Sequence, residues 1–163
     1  MNAGSRVTSI YDLAVLTPDR VKSVYPLVRH HNDSIDFDTW CDFATPLIDG
    51  LAADRRPSTG IIVATRRGAA RGMFVYMRLP HLGLGRVLLV PHAFCAELLR
   101  TTPLWALLLR EMMTIAADLG CAMVRLVVHP PWGDLPMAVR QMGNELIPVE
   151  LLLVDDQSGE FNN

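Results

Sequence analysis

The chain has 163 residues, of which 50% are hydrophobic and 20% are charged, and its formal net charge is −2. These values are typical of a single globular domain that is large enough to bury a core. The basic residues are spread along the chain in groups no larger than Arg55-Arg56 and Arg66-Arg67, which excludes the broad positive face of a nucleic-acid-binding protein. We therefore expect no nucleic-acid partner.

Neither the N-terminus nor the cysteines indicate a secreted or membrane protein. The opening segment MNAGSRVTSIYDLAV lacks the apolar stretch of a signal peptide, and no segment approaches the length that crosses a bilayer. The cysteines are odd in number and show no C-x-x-C spacing, which favours reduced thiols. These residues are Cys41, Cys95 and Cys121. We expect a cytoplasmic protein without membrane contact.

The first third of the chain predicts a strand followed by two helices. VTSIYDLAVL has a strand pattern, and Thr17-Pro18 then supplies an N-cap and a first-turn proline for a helix in which Pro26 is expected to cause a bend or an end. A second, broken helix is predicted to stop near Gly50. Its apolar residues at helical spacing, expected in the core, are Phe37, Trp40, Phe43 and Ile48.

The rest of the chain predicts strands that alternate with helices. GIIVAT and GMFVYMRL form a hairpin pattern, PHLGLG is a loop, and RVLLVP is a short strand. A long helix begins at Thr102-Pro103 and ends at Gly120. Its predicted core face is Leu104, Leu107, Leu108, Met112, Ile115 and Leu119. The strand AMVRLVVHP, a short helix up to Gly143 and the strand NELIPVELLLVDD complete one domain over residues 1–155, and residues 156–163 form a polar tail.

Several of these segments resemble parts of a known family. GIIVATRRGAARGMFVY matches a second and third strand, LLVP precedes a long helix, and LREMMTIAADLGCAMVRLVVHP matches that helix and the next strand. MAVRQMGNELIPVELLLV matches the late helix and the final strand. Together they resemble the GNAT N-acetyltransferase superfamily over nearly the whole chain. The resemblance implies an α/β (α+β mixed sheet) fold, with a central twisted mixed sheet of about six to seven strands that is flanked by helices and splays after the fourth strand.

The resemblance also implies acyl transfer to a small-molecule or protein amine. The donor would be acetyl-CoA or another acyl-CoA, held along Leu88, Leu89 and Val90, or alternatively an acyl carrier protein. HAFCAELLRTTP replaces the family's R/Q-x-x-G-x-G/A phosphate loop. Arg100, Thr101, Thr102 and the helix N-terminus could hold a phosphate instead. The alternative is an ordinary Thr-Pro helix start beside a solvated arginine.

Candidate catalytic residues lie around the same junction. His92 and Glu97 could serve as bases, and Cys95 could be a nucleophile if His92 lowered its pKa. His129 is a rival, because it ends a strand at the edge where open sheets bind ligands. The ordinary alternatives are a buried cysteine, a histidine that caps a strand and a solvated glutamate.

Two further expectations concern function and assembly. The tyrosine that often protonates the thiolate in the family falls on Val139 here, so a GNAT-like domain that only binds or regulates is the competing function. The apolar segment ELIPVELLLV would fit an edge strand used in a homodimer. No metal site is predicted, since the adjacent His30 and His31 are expected to point apart on a helix.

Overall fold

The computed structural model describes residues 10–49, 57–96, 104–129, 135–142 and 147–154. Six strands form one sheet in the order β1-β2-β3-β4-β5-β6. The strands are β1 Asp12–Val15, β2 Thr59–Arg66, β3 Ala69–His81, β4 Gly85–Cys95, β5 Val124–Val128 and β6 Val149–Leu153. The helices are α1 Val21–His31, α2 Phe37–Asp49, α3 Leu104–Asp118 and α4 Leu135–Met142, and a 3-10 turn at Pro18–Arg20 precedes α1. This confirms the predicted α/β fold with a mixed sheet.

The sheet separates two hydrophobic cores. Side chains alternate between the two faces of a strand. On β2, Ile61 and Val63 therefore pack with α1 and α2, whereas Ile62 and Ala64 pack with α3 and α4. The predicted core face of α3 is confirmed, with Leu107 partly buried at its margin.

Strand β4 is longer than the sequence predicts. In its pairing with β3, Met77 lies opposite Leu89 and Val75 lies opposite His92, so three steps along β4 match two steps along β3. The extra residue forms a β-bulge in which Val90 and Pro91 lie opposite Tyr76, and a residue without an N–H group is tolerated at a bulge. The prediction that the strand ends at Pro91 was wrong. His92 and Cys95 lie within the strand and not beyond it.

Strands β4 and β5 separate soon after they pair. Their parallel pairing covers only Leu88–Val90 and Val124–Leu126. Beyond it, β4 continues to Cys95 while β5 stays with β6 as far as Val128. We call the gap between residues 91–95 of β4 and residues 127–128 of β5 the splay. It lies after the fourth strand, where the family resemblance places it.

Helices α1 and α2, which pack on the same face of the sheet, are each continuous through a proline. α1 does not end at Pro26, because that residue is exposed while Val24, Leu27 and Val28 anchor the helix in the core. α2 is one helix through Pro46 and is not broken. Among the described residues, no helix is long and apolar enough to cross a bilayer.

Candidate functional site

A cavity of about 450 Å³ opens on the face of the sheet that carries α1 and α2. This volume is within the range of small-molecule sites, roughly 300–1,000 Å³. The cavity is bounded by α1, the α1–α2 connection, α2, β3, β4 and the end of β5. Its lining residues are Val28, His31, Asn32, Ile35, Thr39, Trp40, Phe43, Met73, Val75, His92, Phe94 and His129.

The inner wall of the cavity is apolar and firmly held. Met73 and Val75 project from β3, and Phe94 projects from β4, all of them buried. Trp40 is also buried, and its indole Nε1–H donates a hydrogen bond to the carbonyl oxygen of Val21 at 2.9 Å. That bond ties α2 to the start of α1, so the two helices hold the cavity wall as one unit.

Three histidines meet at this cavity, and two of them flank the splay. His92 lies two residues past the last β4 residue that pairs with β5, and His129 directly follows β5. The ring of Phe43 contacts the ring of His92 edge-on at a centroid distance of 5.6 Å. His31, at the end of α1, stacks on Phe94 at 4.2 Å with an interplanar angle of 3°. Aromatic contacts therefore orient two of the imidazole rings.

The local environment favours the neutral imidazole form of His92 and His31. Burial lowers the pKa of His92, and the nearby His129 lowers this pKa further. Burial also lowers the pKa of His31, with additional contributions from His129, His92 and His30. Each ring packs on an aromatic side chain on one side and meets solvent on the other. A neutral imidazole can accept a proton, so the cavity holds potential general bases.

No protein-family model and no curated protein sequence matches this chain. Among solved structures, a ribosomal-protein-alanine N-acetyltransferase from Brucella melitensis biovar Abortus 2308 is similar, with a TM-score of 0.60 and 18% identity, over 94% of this chain and 98% of the other. An aminoglycoside N-acetyltransferase in complex with CoA has a TM-score of 0.66 and 13% identity, over 91% of this chain and 95% of the other. A transcriptional regulator from Bacillus halodurans C-125 has a TM-score of 0.66 and 13% identity, over 83% of this chain and 93% of the other.

This chain has the GNAT acetyltransferase fold. In this GNAT-fold chain, the splay and the cavity adjoin each other at β4. Ala96 donates its N–H to Arg71 of β3, and N–H directions alternate along a strand. The N–H groups of Ala93 and Cys95 therefore face the side from which β5 diverges.

The GNAT-fold structure brings some of the predicted residues together and separates others. His92 and His129 both line the cavity, and Leu88, Leu89 and Val90 form the last paired residues before the splay. Cys95 instead packs in the core on the α3 side, on the opposite face of β4 from His92. Glu97, Arg100, Thr101 and Thr102 lie outside the described residues.

His31 and Phe43, whose rings help to form the cavity, were not predicted as site residues. His31 was considered only as half of an adjacent pair that binds no metal, and Phe43 was predicted to lie in the core. His31 follows Val28, which is buried and also lines the cavity, by three residues, so the two side chains lie on one side of α1, and this spacing was the available signal. Phe43 is 41% exposed because it borders the cavity and not the core.

The described ranges hold no group of three His, Cys, Asp or Glu side chains that could bind a metal ion.

The two lowered histidine pKa values predict a pH-dependent stability. Between the native pKa values and the ordinary value of 6.5, the unfolded chain binds more protons than the folded chain. We expect the free energy of unfolding to fall as the pH drops below 6.5 and to level off below the native values. Urea unfolding between pH 5 and 8 measures this dependence.

The matched variants for this measurement are available within α1 and β4. The double variant His31→Gln, His92→Gln should flatten the dependence, whereas His30→Gln, which does not line the cavity, should leave it nearly unchanged. An equally steep dependence in the double variant would contradict the assignment to these two rings.

Proposed function

We propose that this chain is an N-acyltransferase that moves an acyl group from acyl-CoA to an amine bound in the cavity. The observation that carries the proposal is that the splay opens beside a cavity flanked by His92 and His129. The similarity to N-acetyltransferase structures, one of them in complex with CoA, supports the same conclusion. The thioester would enter through the splay, and the amine would occupy the cavity on the α1 and α2 face.

The backbone of β4 is suited to activating the thioester. The N–H group of Ala93 faces the splay. An N–H group that points at the thioester carbonyl oxygen stabilises the negative charge that develops there during attack. Because this donor belongs to the backbone, the activation does not depend on a particular side chain.

His92 is the proposed general base. In its neutral form it removes a proton from the amine as the nitrogen attacks the thioester carbonyl carbon. The carbon–sulfur bond then breaks, and CoA leaves as a thiolate that takes up a proton. His129, on the other side of the splay, is the proposed donor of that proton. Val139 occupies the position of the family's tyrosine and cannot donate one.

Arg100, Thr101 and Thr102 are the proposed phosphate contacts of the donor, together with the N-terminus of α3. An acyl carrier protein is the alternative donor, because it also brings a phosphopantetheine arm. Comparing acetyl-CoA with an acetylated carrier protein in one assay distinguishes the two donors.

The test is amine-dependent release of CoA thiol, with the acylated product identified by mass spectrometry. The proposal predicts product formation with some amine acceptor and loss of it in His92→Gln. A broad panel of small-molecule and peptide amines that yields no product from either donor would contradict it.

The second candidate function is a regulatory domain that binds a ligand without turnover. The structural similarity to a transcriptional regulator favours it, as does the absence of a proton donor at Val139. Edge strand β6, with Leu152 and Leu153 exposed, would suit a dimer of such a regulator. Ligand binding in the cavity without acyl transfer would select this function.

A further inference from the structure

The polar side chains that line the cavity are not carboxylates, the groups that pair with the ammonium groups of a polycation. Its described lining contains three histidines, Asn32 and Thr39, but no Asp or Glu. The remaining lining residues are aliphatic, aromatic or methionine, and they include Trp40, Phe43 and Phe94. An ammonium group brought into such a lining loses its water without gaining a carboxylate partner.

Acidic residues do occur nearby, but the cavity does not use them. Asp33, Asp36, Asp38 and Asp42 lie on the α1–α2 connection and on α2, and none lines the cavity. The Oδ1 atom of Asp36 accepts a hydrogen bond from the N–H of Thr39 at 2.8 Å, so this carboxylate caps α2. None of these four carboxylates therefore belongs to the described lining of the cavity.

We infer that the acceptor is a monoamine on a compact apolar or aromatic body, and not a polycationic amine. This inference rests on the proposed acyltransferase function and names the acceptor class for the same site. The aromatic lining offers contact area to the body of such a molecule. An apolar surrounding also favours the neutral, nucleophilic form of its single amine. A polyamine or aminoglycoside would have to bury additional ammonium groups among uncharged side chains.

The test compares 2-phenylethylamine, propylamine and spermidine as acceptors for acetyl-CoA. We expect kcat/KM for 2-phenylethylamine to exceed that for each of the other two by at least about tenfold. Propylamine has the same charge as 2-phenylethylamine, so it reports on the apolar body alone. Equal or higher kcat/KM with spermidine would overturn the inference while leaving the acyltransferase function intact.

Two variants place a carboxylate in the cavity wall. Asn32→Asp is nearly isosteric, and its Oδ1 can still accept the bonds from the N–H and hydroxyl of Ser34, at 3.1 and 2.7 Å. Thr39 lies three residues after Asp36, which caps α2, and glutamate is favoured at this position in the first turn of a helix, so Thr39→Glu is the second variant. Both variants should lower the preference for 2-phenylethylamine over spermidine by about tenfold. Thr45→Glu, exposed on α2 outside the cavity, is the control and should leave the preference unchanged.

Direct binding separates failure of this inference from failure of the proposed function. Isothermal titration without acetyl-CoA should show that 2-phenylethylamine binds at least about tenfold more tightly than spermidine, and Asn32→Asp should reduce this difference. If no amine is acylated, the transferase proposal fails, and the titration still decides the ligand class. Tighter binding of spermidine by the unaltered protein would overturn the inference.

Discussion

Replacing His92 with glutamine should lower kcat/KM for acyl transfer by about 100- to 10,000-fold, the usual contribution of a general base. The imidazole lies on β4 just beyond its pairing with β5, where the cavity meets the splay. Glutamine keeps a polar side chain of similar length but cannot accept the amine proton. Steady-state kinetics with a saturating donor and varied amine measure the effect.

The pH profile distinguishes a base from a residue that only shapes the cavity. Because burial lowers the pKa of His92, the decline of kcat/KM on the acidic side of its pH profile should have its midpoint below pH 6.5, the ordinary histidine pKa. His92→Gln should remove this limb. Cys95→Ser is the matched control, because Cys95 lies on the same strand and faces the other core. Retention of more than about a third of kcat/KM in His92→Gln would contradict the assignment of His92 as the base. A large loss of kcat/KM in Cys95→Ser would support the prediction that Cys95 is a nucleophile.

Replacing Trp40 with alanine should lower the free energy of unfolding by about 3–5 kcal/mol. The side chain is only 3% exposed, and it packs in the core formed by α1, α2 and the sheet. The substitution also removes the hydrogen bond from its indole to Val21, which ties the two helices together. Urea unfolding measures the loss.

A neighbouring aromatic residue provides the control for Trp40. Phe43 lies on the same helix but is 41% exposed, so Phe43→Ala should lower the free energy of unfolding by no more than about 1 kcal/mol. If Trp40→Ala does not fold, Trp40→Phe still removes the hydrogen bond while keeping an aromatic ring, and a smaller loss is expected. Equal losses in Trp40→Ala and Phe43→Ala would show that Trp40 does not anchor α2.

Most of the fold could be predicted because its signals are local. The β2–β3 hairpin follows from two apolar runs around the turn at Arg67 and Gly68, and the end of α3 follows from Gly120, which has a φ of +66°. The extent of β4 could not be predicted in this way. Its residues after Pro91 are held by pairing with β3 across a bulge, and that pairing involves residues distant in sequence.

The candidate site was only partly predictable for the same reason. His92 and His129 could be selected because each stands near the end of an apolar strand. Their meeting with His31 and Phe43 depends on how α1 and α2 pack on the sheet, which no local pattern specifies. The family resemblance alone indicated the splay, since the separation of two strands leaves no short motif.

We expect the splay to admit acyl-CoA, and thermal unfolding with acetyl-CoA, longer acyl-CoAs or free CoA tests this expectation most directly. A ligand that binds only the folded chain stabilises it by about 2.7 kcal/mol at 100 times its dissociation constant. We predict a clear rise in Tm with these ligands, and a smaller rise in Arg100→Ala. An unchanged Tm at millimolar concentrations of every CoA ligand would contradict the account and leave a carrier-protein donor or a regulatory domain to be tested.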